Sequence, residues 1–590
     1  MTMDFFSILT MIGGLALFLY GMNAMGDGLA KVSGGKMEKI LENLTSNPIK
    51  AVLLGAAVTG VIQSSSATTV MVVGFVNSGI MKLSQAVGVI MGANIGTTIT
   101  SWILSLTGIE SQNFLLRLFK PTSFSPVLAI IGVIFIVFLK DSKKKDIGTI
   151  FVGFAILMYG MDMMSGAVKP LAEVPEFTGL LLKFSNPLLG VIAGAVLTAI
   201  IQSSSASVGI LQALCLTGAV PFSAAIPIIM GQNIGTCITA ILSAIGAKKN
   251  AKRAAAVHLY FNLIGTVIFM TGFYVINAVV GFPFFNEPAT PAGIAVTHSI
   301  FNITATIILL PFAKGLEKLA CLTIRDEKEE AVSAEDKDFL ILDPRFLEKP
   351  AFAVEQSRTA SRKMAQESHN ALFTALQLVD KYVEEEVEHV HDMESKVDRY
   401  EDELGTYLVK LSHKDISEAD SHNLSIMLHC IGDFERISDH AVNLVESAAE
   451  LHKKGLSFSK GAKEDLKVLS RAVMDIVDIA YRVFEEQDVV LAQKIEPLEE
   501  VIDELSREVK RRHVKRLRNG ECTIEMGFIL SDIATSLERV ADHCSNIGVC
   551  VTQVREDLYD THNHLNLVKN GPDASFYEQL EEAREKYLLS

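Results

Sequence analysis

The sequence predicts an all-α protein in two parts: a membrane domain of inverted repeats with two re-entrant hairpins, then a soluble helical bundle of two three-helix units. Three observations carry this. Uncharged stretches fill the first half, among them Ala51–Met81, Leu83–Ile109, Pro121–Leu139, Ile147–Met161, Phe184–Ala247, Ala254–Asn286 and Pro288–Ala313, and a bilayer core about 30 Å thick needs roughly 20 apolar residues per helix. Residues 1–322 hold 19 Lys/Arg and 12 Asp/Glu, a net of +7, whereas residues 323–590 hold 34 and 56, a net of −22. A polar motif recurs without gaps at an offset of 139 residues. At 590 residues and 49% hydrophobic content, the chain is too long for one core and too apolar for an ordinary soluble protein. The acidic second half argues against nucleic acid as a partner.

The first element, Phe5–Met22, follows Asp4 with no basic n-region or small-residue cleavage site, so it reads as a retained helix. Taking basic segments as cytoplasmic puts Lys31, Lys36, Lys39, Lys50, Lys82, Lys140, Lys143–Lys145, Lys248, Lys249, Lys252 and Arg253 inside. Lys169 and Lys183 then lie outside with Glu173 and Glu176, while Arg117 and Lys120 are exceptions that also fall outside. The consistent path has a re-entrant hairpin at Asn47–Gly79, crossings at Ser84–Thr107 and Phe124–Lys140, and an inverted second copy with its hairpin at Asn186–Gly218. Helices near Ala254–Val280 and Pro291–Ala313 return the chain to the cytoplasm. The membrane domain is thus 1–317, with repeats at about 5–140 and 147–280 and an extra helix at 291–313.

In the repeat, Gly55–Thr69 lies over Gly194–Val208 with 9 identities in 15, and Met91–Thr100 over Met230–Thr239 with 8 in 10. The matches are Gln, Ser, Asn, Thr and Gly rather than Leu and Val, so generic likeness between apolar helices does not explain them; repeats of this kind are characteristic of secondary transporters. Each hairpin has about a dozen mostly apolar residues on either side of Gln-Ser-Ser-Ser, roughly half a membrane thickness per arm. Gln63, Ser64, Ser65 and Ser66 therefore fall at one tip, near the midplane, and Gln202, Ser203, Ser204 and Ser205 at the other. Broken backbone at that depth is tolerated where it lines a cavity, and serine suits a half-helix start, whose free N–H groups attract anions. Asn94 and Asn233, each before Ile-Gly-Thr, suggest breaks in the following crossings. With no Lys or Arg in these spans, an anion would be held by hydroxyls, amides, helix N-termini and a co-bound cation; oxygen ligands suit sodium.

The paired Gln-Ser-Ser-Ser hairpins, each followed by Gly-x-Asn-Ile-Gly-Thr, resemble the type II sodium–phosphate cotransporter family and its bacterial relatives over about residues 5–315. The resemblance implies sodium-driven import of inorganic phosphate, with Gln63–Ser66 and Gln202–Ser205 binding phosphate. It also carries Asn94, Thr97, Asn233 and Thr236 over, with Gln63 and Gln202, as sodium ligands. The long extracellular loop of animal members is missing, residues 169–186 being short and free of cysteine. His258-Leu-Tyr-Phe-Asn262 and His298-Ser-Ile-Phe-Asn302 repeat at an offset of 40 and read as interhelical hydrogen bonding. Asp27 and Asp162 read as solvated residues near helix ends. The 7 cysteines contain no C-x-x-C pair, which argues against a disulfide framework or structural zinc.

Residues 318–350 form a charged linker, and long amphipathic helices follow near 352–388, 390–413, 418–454, 460–487, 490–518 and 522–557, giving a bundle at 351–560 and a tail at 561–590. A second repeat pairs Glu394/Asp398 with Glu499/Asp503 and Glu435/Asp439 with Glu538/Asp542. Glu-x-x-x-Asp puts two carboxylates on one helical face, an arrangement that suits a metal cluster or a salt-bridged face with Arg436 and Arg539 as partners. The Glu-Arg-x-x-Asp-His-x-x-Asn element resembles the PhoU family of phosphate-signalling proteins over about residues 355–560. That resemblance implies iron or another transition metal on these eight carboxylates, and a cytoplasmic module that reports or limits uptake.

The chain has no Walker A loop, no H-E-x-x-H and no Ser-His-Asp set near the tetrads, so an enzyme is not expected. The reading is a multi-pass transporter of the cell (inner) membrane with a cytoplasmic C-terminal domain. Its expected partners are phosphate, sodium and membrane lipid, with a homodimer and phosphate-signalling proteins also admitted. The alternatives are transport of another small oxyanion, or an anion channel gated by the metal-binding domain.

Overall fold

The computed structural model describes residues 5–33, 47–108, 121–170, 174, 179, 181–325, 338–556 and 574–589. Lys36, Lys39, Arg117, Lys120, Glu173, Glu176, most of the charged run after Ile324 and the start of the tail lie outside them. Among the described residues the structure is helical, with one isolated bridge between Pro221 and Pro288 and no strand. The chain forms two compact units, Met1–Phe352 and Ala353–Ser590.

In the first unit the helices are α1 (Phe5–Ser33), α2 (Pro48–Ile62), α3 (Ser65–Ser78), α4 (Leu83–Ser105), α5 (Pro121–Phe138), α6 (Ser142–Val168), α7 (Pro187–Ile201), α8 (Ser204–Cys215), α9 (Phe222–Ser243), α10 (Lys249–Val280), α11 (Pro291–Leu309) and α12 (Ala313–Thr323). Among the described residues, six helical segments are long and apolar enough to cross a membrane. The arms α2, α3, α7 and α8 have 15, 14, 15 and 12 residues, about 18–22 Å each at 1.5 Å per residue, too short to span the core alone. Asn47 and Asn186 cap the first arms, each side-chain oxygen accepting two backbone N–H groups, and proline follows at the first helical position, where no N–H is needed.

Two corrections to the sequence reading arise here. The helices α4 and α9 run unbroken through Asn94-Ile-Gly and Asn233-Ile-Gly. Their glycines serve close packing instead: a Cβ at Gly92 would lie 2.0 Å from Val52 O, and one at the equivalent Gly231 would lie 2.0 Å from Val191 O. Small residues let backbones approach where apolar burial gives no drive between helices in lipid. The second correction concerns α1, which continues to Ser33, so Asp27 sits within the helix rather than at its end.

The helices α1 and α6 meet through glycines in a reciprocal pattern. A Cβ at Gly14 would lie 2.9 Å from Gly160 O and one at Gly160 2.6 Å from Gly14 O. The pair Gly21 and Gly153 behaves alike, at 2.6 and 2.9 Å. Gly153 and Gly160 are the 139-residue counterparts of Gly14 and Gly21.

The second unit is built from α13 (Pro350–Asp380), whose first residues close the first unit, and then α14 (Glu384–Ser412), α15 (Glu418–Lys454), α16 (Lys460–Glu486), α17 (Ile495–Arg518) and α18 (Ile524–Glu556). Apolar residues at three- and four-residue spacing turn one face of α14 inward: Val390, Met393, Val397, Tyr400, Leu404, Leu408 and Leu411 are all buried. Helices α15 and α18 pack against each other and so join the two three-helix groups. Asp465 of α16, 3% exposed, accepts from Arg512 and Arg516 of α17 at 3.1 and 2.7 Å. The tail holds a further helix, α19 (Ala574–Lys586), which docks on this unit through Arg584–Glu504 at 3.0 Å and Lys586–Asp475 at 2.6 Å.

Candidate functional site: a cavity between two helix breaks

Both tetrads break their hairpins in the same way. Gln63 ends α2 in the left-handed region (φ 59°, ψ 21°) and Gln202 ends α7 there (φ 58°, ψ 21°). The next residue returns to extended backbone and caps the second arm: Ser64 Oγ accepts from Ala67 N and Ser203 Oγ from Ala206 N, each at 3.2 Å. Below each tip the arms are tied by equivalent hydroxyl pairs, Thr59 to Thr68 at 3.0 Å and Thr198 to Ser207 at 2.8 Å. Across the gap Ser66 Oγ donates to the Gln202 carbonyl at 3.4 Å.

The tips enclose a cavity of about 620 Å³ lined by Gln63–Ser66, Gln202–Ser205, neighbouring residues of α1, and Lys349. Among the described residues, its charged lining residues are Asp27 and Lys349. All eight residues read from sequence as the phosphate site are therefore brought together, and Asp27, read as a solvated surface residue, joins them. The serine hydroxyls divide by task. Ser64 and Ser203 cap helices and Ser66 ties the tips, whereas Ser65, Ser204 and Ser205 have no side-chain partner among the described residues. With two helix N-termini nearby, the lining can hold an anion through hydroxyls and backbone N–H groups.

Asn94, Thr97, Asn233 and Thr236 are buried in α4 and α9 and do not line this cavity. Asn94, Thr97 and Thr236 bond carbonyls of their own helices, and Asn233 Oδ1 faces His298 Nε2 at 3.2 Å. The His258 and His298 motifs thus serve interhelical contact, Asn262 reaching Cys237 Sγ at 3.4 Å. Thr100, which sequence reasoning passed over, donates to Gln63 Oε1 at 2.9 Å and orients that amide.

In the second unit the carboxylates fall into two sets. Oxygens of Glu499, Asp503 and Asp542 lie within 4.8 Å of one another, a spacing that one cation could bridge. Burial first, and then the charges of Glu538 and Asp542, push the Asp503 carboxyl up; burial also raises Asp542. Glu538 is held below the usual range: Ser506 and Lys510, at 2.7 and 3.2 Å, outweigh the effect of its burial. In the other set burial and then Asp439 raise both Glu394 and Glu435, while Arg436 reaches Asp439 at 3.1 Å. Among the described residues, Glu394, Asp398, Glu435 and Asp439 do not form a group as tight as the first. Between the sets, His543 Nδ1 lies 2.9 Å from Asp433 Oδ1, a pair the sequence did not single out. The crowded carboxylates of α17 and α18 fit a metal ion, and Glu499, Asp503 and Asp542 would hold it.

Comparison with known proteins matches residues 17–166 and 156–285 to the Na+/Pi-cotransporter family and residues 361–448 and 466–551 to the PhoU domain. YqeW of Bacillus subtilis, an uncharacterized protein, is 31% identical over 312 residues, which are 52% of this chain and 96% of its own. YjbB of Escherichia coli, provisionally named an inorganic phosphate export protein, is 23% identical over 521 residues, 87% of this chain and 91% of its own. Sodium-dependent phosphate transport protein 2A of Rattus norvegicus is 36% identical over 99 residues, 16% of this chain and 15% of its own.

Proposed function

The chain belongs to the Na+/Pi-cotransporter family and carries a PhoU domain, and from that premise we propose that it imports inorganic phosphate by symport with sodium. The observation that carries the reading is the cavity between the tetrads, whose spare hydroxyls and helix N-termini face one another across a space with no basic residue from the membrane helices among the described residues. Phosphate binds there through Gln63–Ser66 and Gln202–Ser205, and sodium offsets its charge. Asn94, Thr97, Asn233 and Thr236 act one layer behind, holding α4 and α9 in register with the hairpins.

The repeats are inverted and the hairpins re-entrant in this reading, and the glycine contacts of α1 and α6 support it. Position 14 meets the counterpart of 21, and position 21 meets the counterpart of 14. Such reciprocity belongs to a two-fold relation, and the opposite order along the two helices makes the axis perpendicular to them, as inversion requires. The inner face of the inner membrane is the side of Lys82 and Lys248. There Asn77, at the base of the first hairpin, accepts from Lys248 N at 2.9 Å, and the C-terminal domain is cytoplasmic. That domain holds a transition metal at Glu499, Asp503 and Asp542 and adjusts uptake to phosphate supply.

Export is the second reading, favoured by the name of YjbB, with which the chain aligns over most of its length. Full-length protein in proteoliposomes separates the two. An inward sodium gradient should accelerate uptake of labelled phosphate, and collapse of the gradient should stop it. Phosphate flux indifferent to sodium would overturn the coupling, and net efflux against an inward sodium gradient would overturn import.

A further inference from the structure

The segment between the last apolar helix and the helical bundle reads from sequence as a charged linker, yet its final part is built into the first unit. Asp343 caps a 3₁₀ turn, Pro344–Glu348, by accepting from Arg345 N, and its other oxygen accepts from Asn77 Nδ2 at 2.8 Å. Phe346 is fully buried, its ring 5.5 Å from that of Phe75 and 4.9 Å from that of Phe352. Gly74 makes the seat for it, since a Cβ there would lie 2.6 Å from the Phe346 ring. The turn is thereby clamped to α3, the arm that begins with the serines of the first tip.

The clamp delivers Lys349 to the tetrad cavity, where it is the one basic lining residue among the described residues. A second cavity, of about 560 Å³, is lined by Ser66 and Gln202 on one side and Arg345, Glu348 and Lys349 on the other. These two spaces are therefore bordered by the same segment. A cation beside a low-dielectric cavity raises the local anion concentration and fixes which anions dwell there.

We propose that Asp343–Lys349 forms a gate on the linker side of the transport site, with Lys349 as the cationic contact that phosphate makes on passing between the tips and that face. The proposal rests on the tetrads being the phosphate site. The turn is continuous with α13, so rearrangement of the first bundle helix has a covalent path to the gate.

The test uses full-length protein in proteoliposomes of defined orientation, with phosphate supplied from either face. Lys349→Gln should raise the half-saturating phosphate concentration about three- to tenfold on the linker face and by less than twofold on the opposite face, and Lys349→Arg should restore it. Gly74→Leu, which unseats Phe346 without touching the lysine, should give the same one-sided loss. Unchanged affinity on both faces in Lys349→Gln, while Ser65→Ala and Ser204→Ala still weaken binding, would overturn the gate and leave the site standing. If the serine variants also bind normally, the tetrad site itself falls and the gate with it.

Discussion

The division of labour among the serines makes a quantitative forecast. Ser65 and Ser204 are the first helical residues of α3 and α8, are 4% exposed, and have hydroxyls with no partner among the described residues. If each donates to phosphate, Ser65→Ala or Ser204→Ala removes a hydrogen bond to a charged group, worth about 1.5–3 kcal/mol, and apparent affinity should fall about 10- to 150-fold. Folded yield and melting temperature should stay near those of the parent, because neither hydroxyl supports the backbone. Ser64→Ala and Ser203→Ala take away helix caps instead and should cost about 0.5–2 kcal/mol of stability. The assay is the phosphate dependence of sodium-driven uptake in proteoliposomes, paired with thermal melting of the same preparations in detergent. Parental affinity in both Ser65→Ala and Ser204→Ala would remove these hydroxyls from the substrate site. A fall in melting temperature matching that of the cap variants would show that their role is structural.

Packing and metal binding supply two more tests. Gly92→Ala and Gly231→Ala each push a Cβ to within 2.0 Å of a facing carbonyl, so monodisperse folded protein should be lost on size-exclusion chromatography, whereas Gly13→Ala and Gly272→Ala, with nothing within 4 Å, should behave as the parent. In the PhoU domain, the tighter set should dominate: Asp542→Asn should lower the metal content measured by elemental analysis, and with it the melting temperature, more than Asp439→Asn does, since a ligand held only by the folded state stabilises it. A parent chain that purifies without metal would return these carboxylates to an ordinary charged surface.

The tetrads were legible in the sequence because Gln and three serines have no apolar reason to recur at a fixed offset, and helicity was legible from apolar spacing. The glycines after Asn94 and Asn233 were misleading, since a glycine that loosens a helix and one that admits a neighbouring backbone look alike until the neighbour, here Ala56 or Ala195, is in view. Asp27 is exposed, as read from sequence, but its place on the cavity wall was hidden because the end of α1 was placed too early. Phe346 gave no signal among its charged neighbours, because its meaning lies in the empty volume at Gly74. The carboxylate pairs were readable as pairs, and each set has its arginine, Arg436 on Asp439 and Arg539 on Asp542, but the hold of Ser506 and Lys510 on Glu538 depends on side chains arriving from particular helical faces.

The left-handed conformation of Gln63 and Gln202 sets a limit on how this protein can be engineered. An L-residue in that conformation carries roughly 1–2 kcal/mol of strain that glycine would not. At Gln63 the Thr100 hydrogen bond offsets part of it; at Gln202 no side-chain bond among the described residues does so. The sturdiest sequence and the working sequence therefore diverge at the two points where the repeats face each other. A library selected only for expression or heat resistance would drift toward glycine at position 202, improving the scaffold while erasing an amide from the cavity it exists to hold.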